Sequence, residues 1–159
     1  PGWRSAFLAR AIAFARSALG LKDAISFEFD PQSKHTIIDF MEDQSNDIRK
    51  GGTMRLGSYP CSLRADTNIW SCYKKDMIDE RHRHRYEFNN EYRSEFERNG
   101  MRIVGTSPDK QLVEAIEYTN HPFYIGVQYH PEFKSRPNRP HPLFVGLVKA
   151  SLENKESHK

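Results

Sequence analysis

Apolar residues recur at helical spacing over residues 6–19, where Phe7, Ala11, Phe14, Ala15, Ala18 and Leu19 fall on one stripe. Gly20 follows as a left-handed stop. The period then shortens. Residues 36–40 form a β-branched run, residues 53–57 follow the break at Gly51-Gly52, and residues 83–88 alternate. Each predicts a strand. Residues 67–74 fit either a short helix or a loop. Asn90 can cap a helix over 91–98, ended by Asn99-Gly100. Three more strands are predicted over 101–105, 112–118 and 123–128. A proline-rich stiff loop over 135–142 leads to a closing helix at 143–152 and a polar tail at 153–159.

At 159 residues the chain fits one domain, with no repeat or interdomain linker. Its hydrophobic fraction of 37% falls below the usual ~45–50%, so the core is expected to be thin. The 24 basic and 21 acidic residues leave +3, too weak a bias to argue for a nucleic-acid or membrane partner. No run of about 18 apolar residues predicts a membrane helix. Arg4, Arg10 and Arg16 interrupt any signal-peptide core. Cys61 and Cys72 lack metal-type spacing, and the expected compartment is a reducing cytoplasm. The first residue is Pro1, which predicts processing or a piece of a longer coding sequence.

Candidate chemistry concentrates in Gln128-Tyr129-His130-Pro131-Glu132-Phe133. The preceding Phe123-Tyr124-Ile125-Gly126-Val127 reads as a buried strand of a parallel sheet, and ligands gather where such strands end. An imidazole there can exchange a proton near neutral pH, with an ordinary pKa of about 6.5. A carboxylate two residues on can fix its tautomer, and Pro131 stiffens the backbone between them. The pair reads as the base and orienter of a triad.

A second constellation is Glu80-Arg81-His82-Arg83-His84-Arg85-Tyr86-Glu87-Phe88-Asn89. If extended, it puts Arg81, Arg83 and Arg85 on one face and His82, His84 and Tyr86 on the other. Guanidinium groups suit a carboxylate or phosphate ligand. Three readings stay open: a solvated charged edge strand, a metal site built on His82 and His84, or a basic nucleic-acid patch, against which Glu80 and Glu87 count.

Taken with Gly51-Gly52-Thr53-Met54-Arg55-Leu56-Gly57, Gly105-Thr106-Ser107-Pro108-Asp109, Leu112-Val113-Glu114, His121-Pro122-Phe123 and the stretch through Ser135-Arg136-Pro137, these residues resemble the glutaminase domain of the CTP synthase family, a class I glutamine amidotransferase. The likeness covers residues 11–150 of a domain spanning 1–152. It implies an α/β, flavodoxin-like amidotransferase fold, a mixed sheet flanked by helices, with the N-terminal strands expected to be missing. It also implies glutamine hydrolysis at a Cys-His-Glu triad. The ammonia would pass to a synthase domain that aminates UTP to CTP with ATP and magnesium, under activation by GTP. By motif, His130 is the general base and Glu132 its orienter. Glu28 would read the substrate's α-amino group and Arg85 its α-carboxylate. The resemblance places no cofactor or metal in this segment, no nucleic acid or membrane partner, and an oligomer only in the full-length protein.

The family's nucleophile sits in a G-x-C-x-G strand–turn–helix elbow, where backbone N–H groups form the oxyanion hole. Without gaps this maps onto Gly2-Trp3-Arg4-Ser5-Ala6. Arg4 stands at the cysteine, and a guanidinium is no nucleophile at neutral pH. Ser5 is one residue out of place and Ala6 replaces the second glycine. Cys61 and Cys72 fall far from the elbow and read as structural. The expectation is a chain truncated before a working elbow and inactive alone, a non-catalytic glutamine-binding or synthase-docking remnant being the alternative. A misread N-terminus of an otherwise active protein also stays open.

Overall fold

The computed structural model describes residues 3–40 and 54–157, with side chains from residue 7 onward. Gly2, the Gly51-Gly52-Thr53 break, the last two residues and the side chains of residues 3–6 lie outside that description.

Helix α1 (Trp3–Ala18) buries Phe7, Ala11, Phe14 and Ala15 of the stripe predicted from spacing, while Ala18 is exposed and Leu19 lies past the helix end, partly buried. It begins three residues earlier than expected, so the backbone of Arg4 is helical. Gly20, at φ 72°, ends the segment. Strand β1 (Ile25–Ser26) pairs in parallel with β2 (Thr36–Asp39). The larger sheet comprises β3 (Arg55–Leu63), β4 (Met77–His84), β6 (Met101–Thr106), β7 (Val113–Tyr118) and β8 (Ile125–Val127), in the order β4-β3-β6-β7-β8. Two short helices, α2 (Asn68–Tyr73) and α3 (Arg93–Arg98), connect strands, and α4 (Pro142–Ser157) closes the chain.

Every pair in the five-stranded sheet is antiparallel, which corrects the parallel reading of the 123–127 run. The physical reason is twofold. The connection from β7 to β8 is too short for the crossover that parallel strands need. The strand is also buried on both faces, so its unbroken apolar run mimics a parallel strand. On one side, α1 packs with Ile37, Ile38, Phe88, Phe96 and Met101. On the other, Val127 and Tyr129 join Cys61, Ile69, Ile78 and Leu143.

A second correction concerns residues 83–88. The strand there is β4, which starts at Met77 and stops at His84. The chain bends at Arg85-Tyr86, and Glu87–Phe88 forms β5, paired with β2 in the small sheet. Arg81 and Arg83 do face outward while His82 and His84 are buried, but Arg85 has left the strand. Helix α3 is entered through a 3-10 turn (Asn90–Tyr92) capped by Asn89, one residue before the expected cap, with Asn89 Oδ1 accepting from Glu91 N at 3.0 Å. Helix α4 continues to Ser157, through residues the composition marks as a tail.

The large sheet curls. β3 joins β6 only at Ser62-Leu63, against Thr106 and Gly105, so the β3–β4 hairpin swings away from the rest. It returns far enough for His130 N to donate to Arg81 O at 2.8 Å. Edge strand β4 is thereby laid beside the segment that follows β8.

Candidate active site

That segment carries the imidazole. β8 ends at Val127, and Pro131 opens a 3-10 turn (Pro131–Phe133). The turn folds Glu132 back on His130, with Nδ1 to Oε1 at 2.7 Å. A carboxylate accepts, so Nδ1–H donates, and in the neutral ring this tautomer leaves the lone pair on Nε2. The imidazole stacks on Phe133, centroids 4.7 Å apart and planes 13° from parallel. Nε2 is buried and has no hydrogen-bond partner among the described residues. A base must present such an unpaired nitrogen to its proton donor.

Both residues before His130 are fully buried and anchored. Gln128 Nε2 donates to Glu87 Oε2 at 2.5 Å and to Val113 O at 3.1 Å, and Gln128 N donates to Glu114 O at 2.8 Å. Tyr129 Oη lies 3.2 Å from Tyr73 Oη, which donates to Glu80 Oε1 at 3.0 Å; His141 Nε2 meets the same carboxylate oxygen at 3.1 Å. Two buried polar clusters thus hold the base segment from opposite sides.

The cluster around Gln128 contains Arg55, His82, His84, Glu87 and Glu114. Arg55 Nη1 contacts Glu114 Oε1 at 2.5 Å and lies 3.7 Å from Glu87 Oε1. His82 Nδ1 and His84 Nε2 are 2.7 Å apart, while His84 Nδ1 faces Tyr86 O at 3.2 Å. Burial, then Arg55, His84 and His130, push His82 down to about 2, so its ring is neutral. Burial and the neighbouring Glu114 push Glu87 up to about 8 against the pull of Arg55 and Gln128. Burial raises Glu114 as well.

Ligand-type atoms of His82, His84 and Glu114 lie within 4.8 Å of one another, which adds the third donor a metal site on the two histidines needs. Arg55 already supplies the cation for Glu114, however, and the two rings bond each other. A divalent ion would sit against a buried guanidinium, a costly arrangement. The edge-strand reading suits Arg81 and Arg83, since β4 ends the sheet order and both are exposed.

Glu28 sits exposed in the turn after β1, and Arg85 is half-buried at the bend after β4. Their neighbours approach through rings: Phe27 packs on Phe40 at 5.1 Å, and Phe40 on Tyr86 at 4.8 Å. Among the described residues, no hydrogen bond or ion pair joins Glu28, Arg85 and His130 to one another. The elbow's side chain at Arg4 lies outside the description. Neither cysteine replaces it: Cys61 is buried in β3 and burial drives its thiol far up, and burial also raises Cys72.

Sequence reasoning missed Arg55, Glu114, Gln128 and the Tyr73–Glu80–His141 group as site supports. Alternation could have found Glu80, because Ile78, Glu80, His82 and His84 share the buried face of β4.

The chain matches the glutamine amidotransferase class-I family over residues 11–150. A CTP synthase of Fibrobacter succinogenes is 58% identical over 149 residues, covering 92% of this chain and 26% of that protein. A CTP synthase of Clostridium beijerinckii is 56% identical over 146 residues, covering 92% and 27%. The chain therefore spans about a quarter of the length of the curated relatives it matches. The glutaminase domain of Trypanosoma brucei CTPS, solved with bound acivicin, superposes with a TM-score of 0.86 at 30% identity, over 92% of this chain and 57% of that one. A protein of Thermoplasma acidophilum shares the fold alone, at TM-score 0.51 and 16% identity over 67% of this chain and 48% of that one. On the extent of the family match and the superposition, this chain belongs to the class I glutamine amidotransferase family, with the mixed α/β fold and curled sheet of its CTP synthase glutaminase branch.

Proposed function

We propose that this chain carries the base half of a glutamine-hydrolysing site of a CTP synthase. His130 would take the nucleophile's proton through Nε2, and Glu132 would hold the tautomer and stabilise the imidazolium. Arg85 would take the substrate's α-carboxylate and Glu28 its α-ammonium, each a charge-assisted contact. In the whole enzyme, a cytoplasmic protein, the ammonia would feed a synthase domain that converts UTP to CTP with ATP and magnesium. One observation carries the reading: the 2.7 Å His130–Glu132 bond leaves a buried Nε2 with no hydrogen-bond partner among the described residues.

The chain itself is proposed to be inactive, because Arg4 occupies the nucleophile's position and its backbone is helical there. Ammonia release from glutamine is the test. The expected result is no release above background. Robust release that disappears in His130→Ala would overturn the inactivity. Calorimetry with millimolar glutamine tests the retained half: binding is expected, and Arg85→Ala should abolish it. No heat in the unmodified chain would remove the substrate-binding reading.

A further inference from the structure

Arg85 and His130 are 45 positions apart in the chain and belong to different elements, yet the proposed chemistry needs them at one separation. Glutamine would be gripped at its α-carboxylate by one and attacked at its far end with help from the other. A shift of about 1 Å between such groups costs on the order of a hundredfold in rate. The tie between their segments therefore matters more than either contact alone.

Of the two clusters flanking His130, the one around Gln128 comes nearest to Arg85 along the chain. The Tyr73–Glu80–His141 group connects the base segment to α2, β4 and the start of α4. The other converges on Glu87, two residues after Arg85. Its carboxylate accepts from Gln128, two residues before His130, at 2.5 Å. It faces Arg55 from β3 at 3.7 Å and His84 Nδ1 from the end of β4 at 3.3 Å. Its other charged neighbour is Glu114 of β7, which Arg55 bridges. The backbone of Glu87 is itself fixed opposite Asp39 of β2.

We propose that Glu87 is a positioning residue, which locks the Arg85 segment to the His130 segment through Gln128. The inference rests on the glutamine-site reading above. The bond needs a carbonyl-type acceptor at Glu87 and does not need a charge. The upward push on this carboxyl, to about 8, means that the neutral acid already fills the role near pH 7. A glutamine at 87 should substitute, and an alanine should not.

The experiment compares Glu87→Ala, Glu87→Gln and the unmodified chain at a temperature where circular dichroism shows each folded. Two quantities are read: the calorimetric Kd for L-glutamine and the His130 Hε1 resonance. Glu87→Ala should weaken binding about tenfold, the scale of one lost hydrogen bond to a buried acid, and should displace the resonance. Glu87→Gln should stay within about threefold of the unmodified chain, since it keeps the acceptor. If Glu87→Ala lowers the melting temperature but leaves both Kd and resonance unchanged, Glu87 is only structural and the proposal fails. If the unmodified chain binds no glutamine, the substrate reading fails instead, and the resonance alone decides the tie. Should Glu87→Ala not fold, Gln128→Met breaks the same bond from the other side and is read identically. Unfolding of all three variants would make Glu87 a folding residue and overturn the proposal.

Discussion

Gly146 lies inside α4, where propensity alone favours alanine by about 1 kcal/mol. Packing opposes it. A Cβ there would meet Cys72 Sγ at 2.5 Å and the Phe123 ring at 2.9 Å. Overpacking at such distances costs roughly 1–3 kcal/mol, so the clash wins. Gly146→Ala should destabilise by about 1–2 kcal/mol in denaturant titration, and Cys72→Ala in the same chain should return part of it. A more stable Gly146→Ala would show that the α2–α4 contact is loose. At this scale the contact between His130 and Glu132 was legible, because a spacing of two around a proline brings the two side chains together. Arg55, Glu87 and Glu114 were not. A charged residue reads as surface unless its partners are known, and here the partners come from strands far apart in sequence.

Helix α2 has only six residues, below the length at which helices persist by themselves. Its first three N–H groups are nevertheless all satisfied. Glu117 of β7 accepts from Asn68 N at 3.2 Å and Ile69 N at 3.3 Å, and Thr67 Oγ1 accepts from Trp70 N at 3.3 Å. The carboxylate also meets the positive end of the helix and takes Asn68 Nδ2 at 2.9 Å. Glu117→Ala should therefore cost more, about 2–3 kcal/mol, than Thr67→Ala at about 1 kcal/mol. Equal losses in denaturant titration would mean that water replaces the carboxylate. The element also explains a hesitation in the sequence. Residues 67–74 hold one local cap signal, and the rest of the start signal sits about fifty residues downstream on a strand. Strand β4 shows the converse. Its inward positions are Ile78, Glu80, His82 and His84, so period-2 alternation exists but only one of its buried members is apolar. The helix stripe of α1 and the strand β6 were legible because burial there is apolar, and β7 was legible through Val113, Ala115 and Ile116 although Glu114 and Glu117 are buried beside them.

For the whole molecule, the buried charges set a pH dependence of stability. His82 is pushed to about 2 in the folded state against an ordinary 6.5, so below 6.5 the unfolded chain binds the extra proton and stability falls with acid. Glu87 works in the opposite sense. Its carboxyl rises to about 8 from 4.5, so between those values the folded chain holds a proton that the unfolded chain has released. That contribution is complete below 4.5 and is lost as pH climbs to about 8. Glu114 is raised too, by burial, and adds to the same side from its ordinary value upward. Between about 4.5 and 6.5 the histidine and the carboxyls oppose one another. Above 6.5 the unfolded-state histidine loses its proton and its opposing slope fades, so towards pH 8 the carboxyl slope dominates, at most about 1.4 kcal/mol per pH unit for one proton. Unfolding free energy measured by denaturant should therefore decline from about pH 7 to 8, a range where most domains are flat. Glu87→Gln, which cannot titrate, should flatten most of that decline. An unmodified chain whose stability is level or rising over that interval would show that Arg55 keeps both carboxylates ionised. The curled sheet would then hold a permanent buried ion triad in place of a protonated acid behind His130.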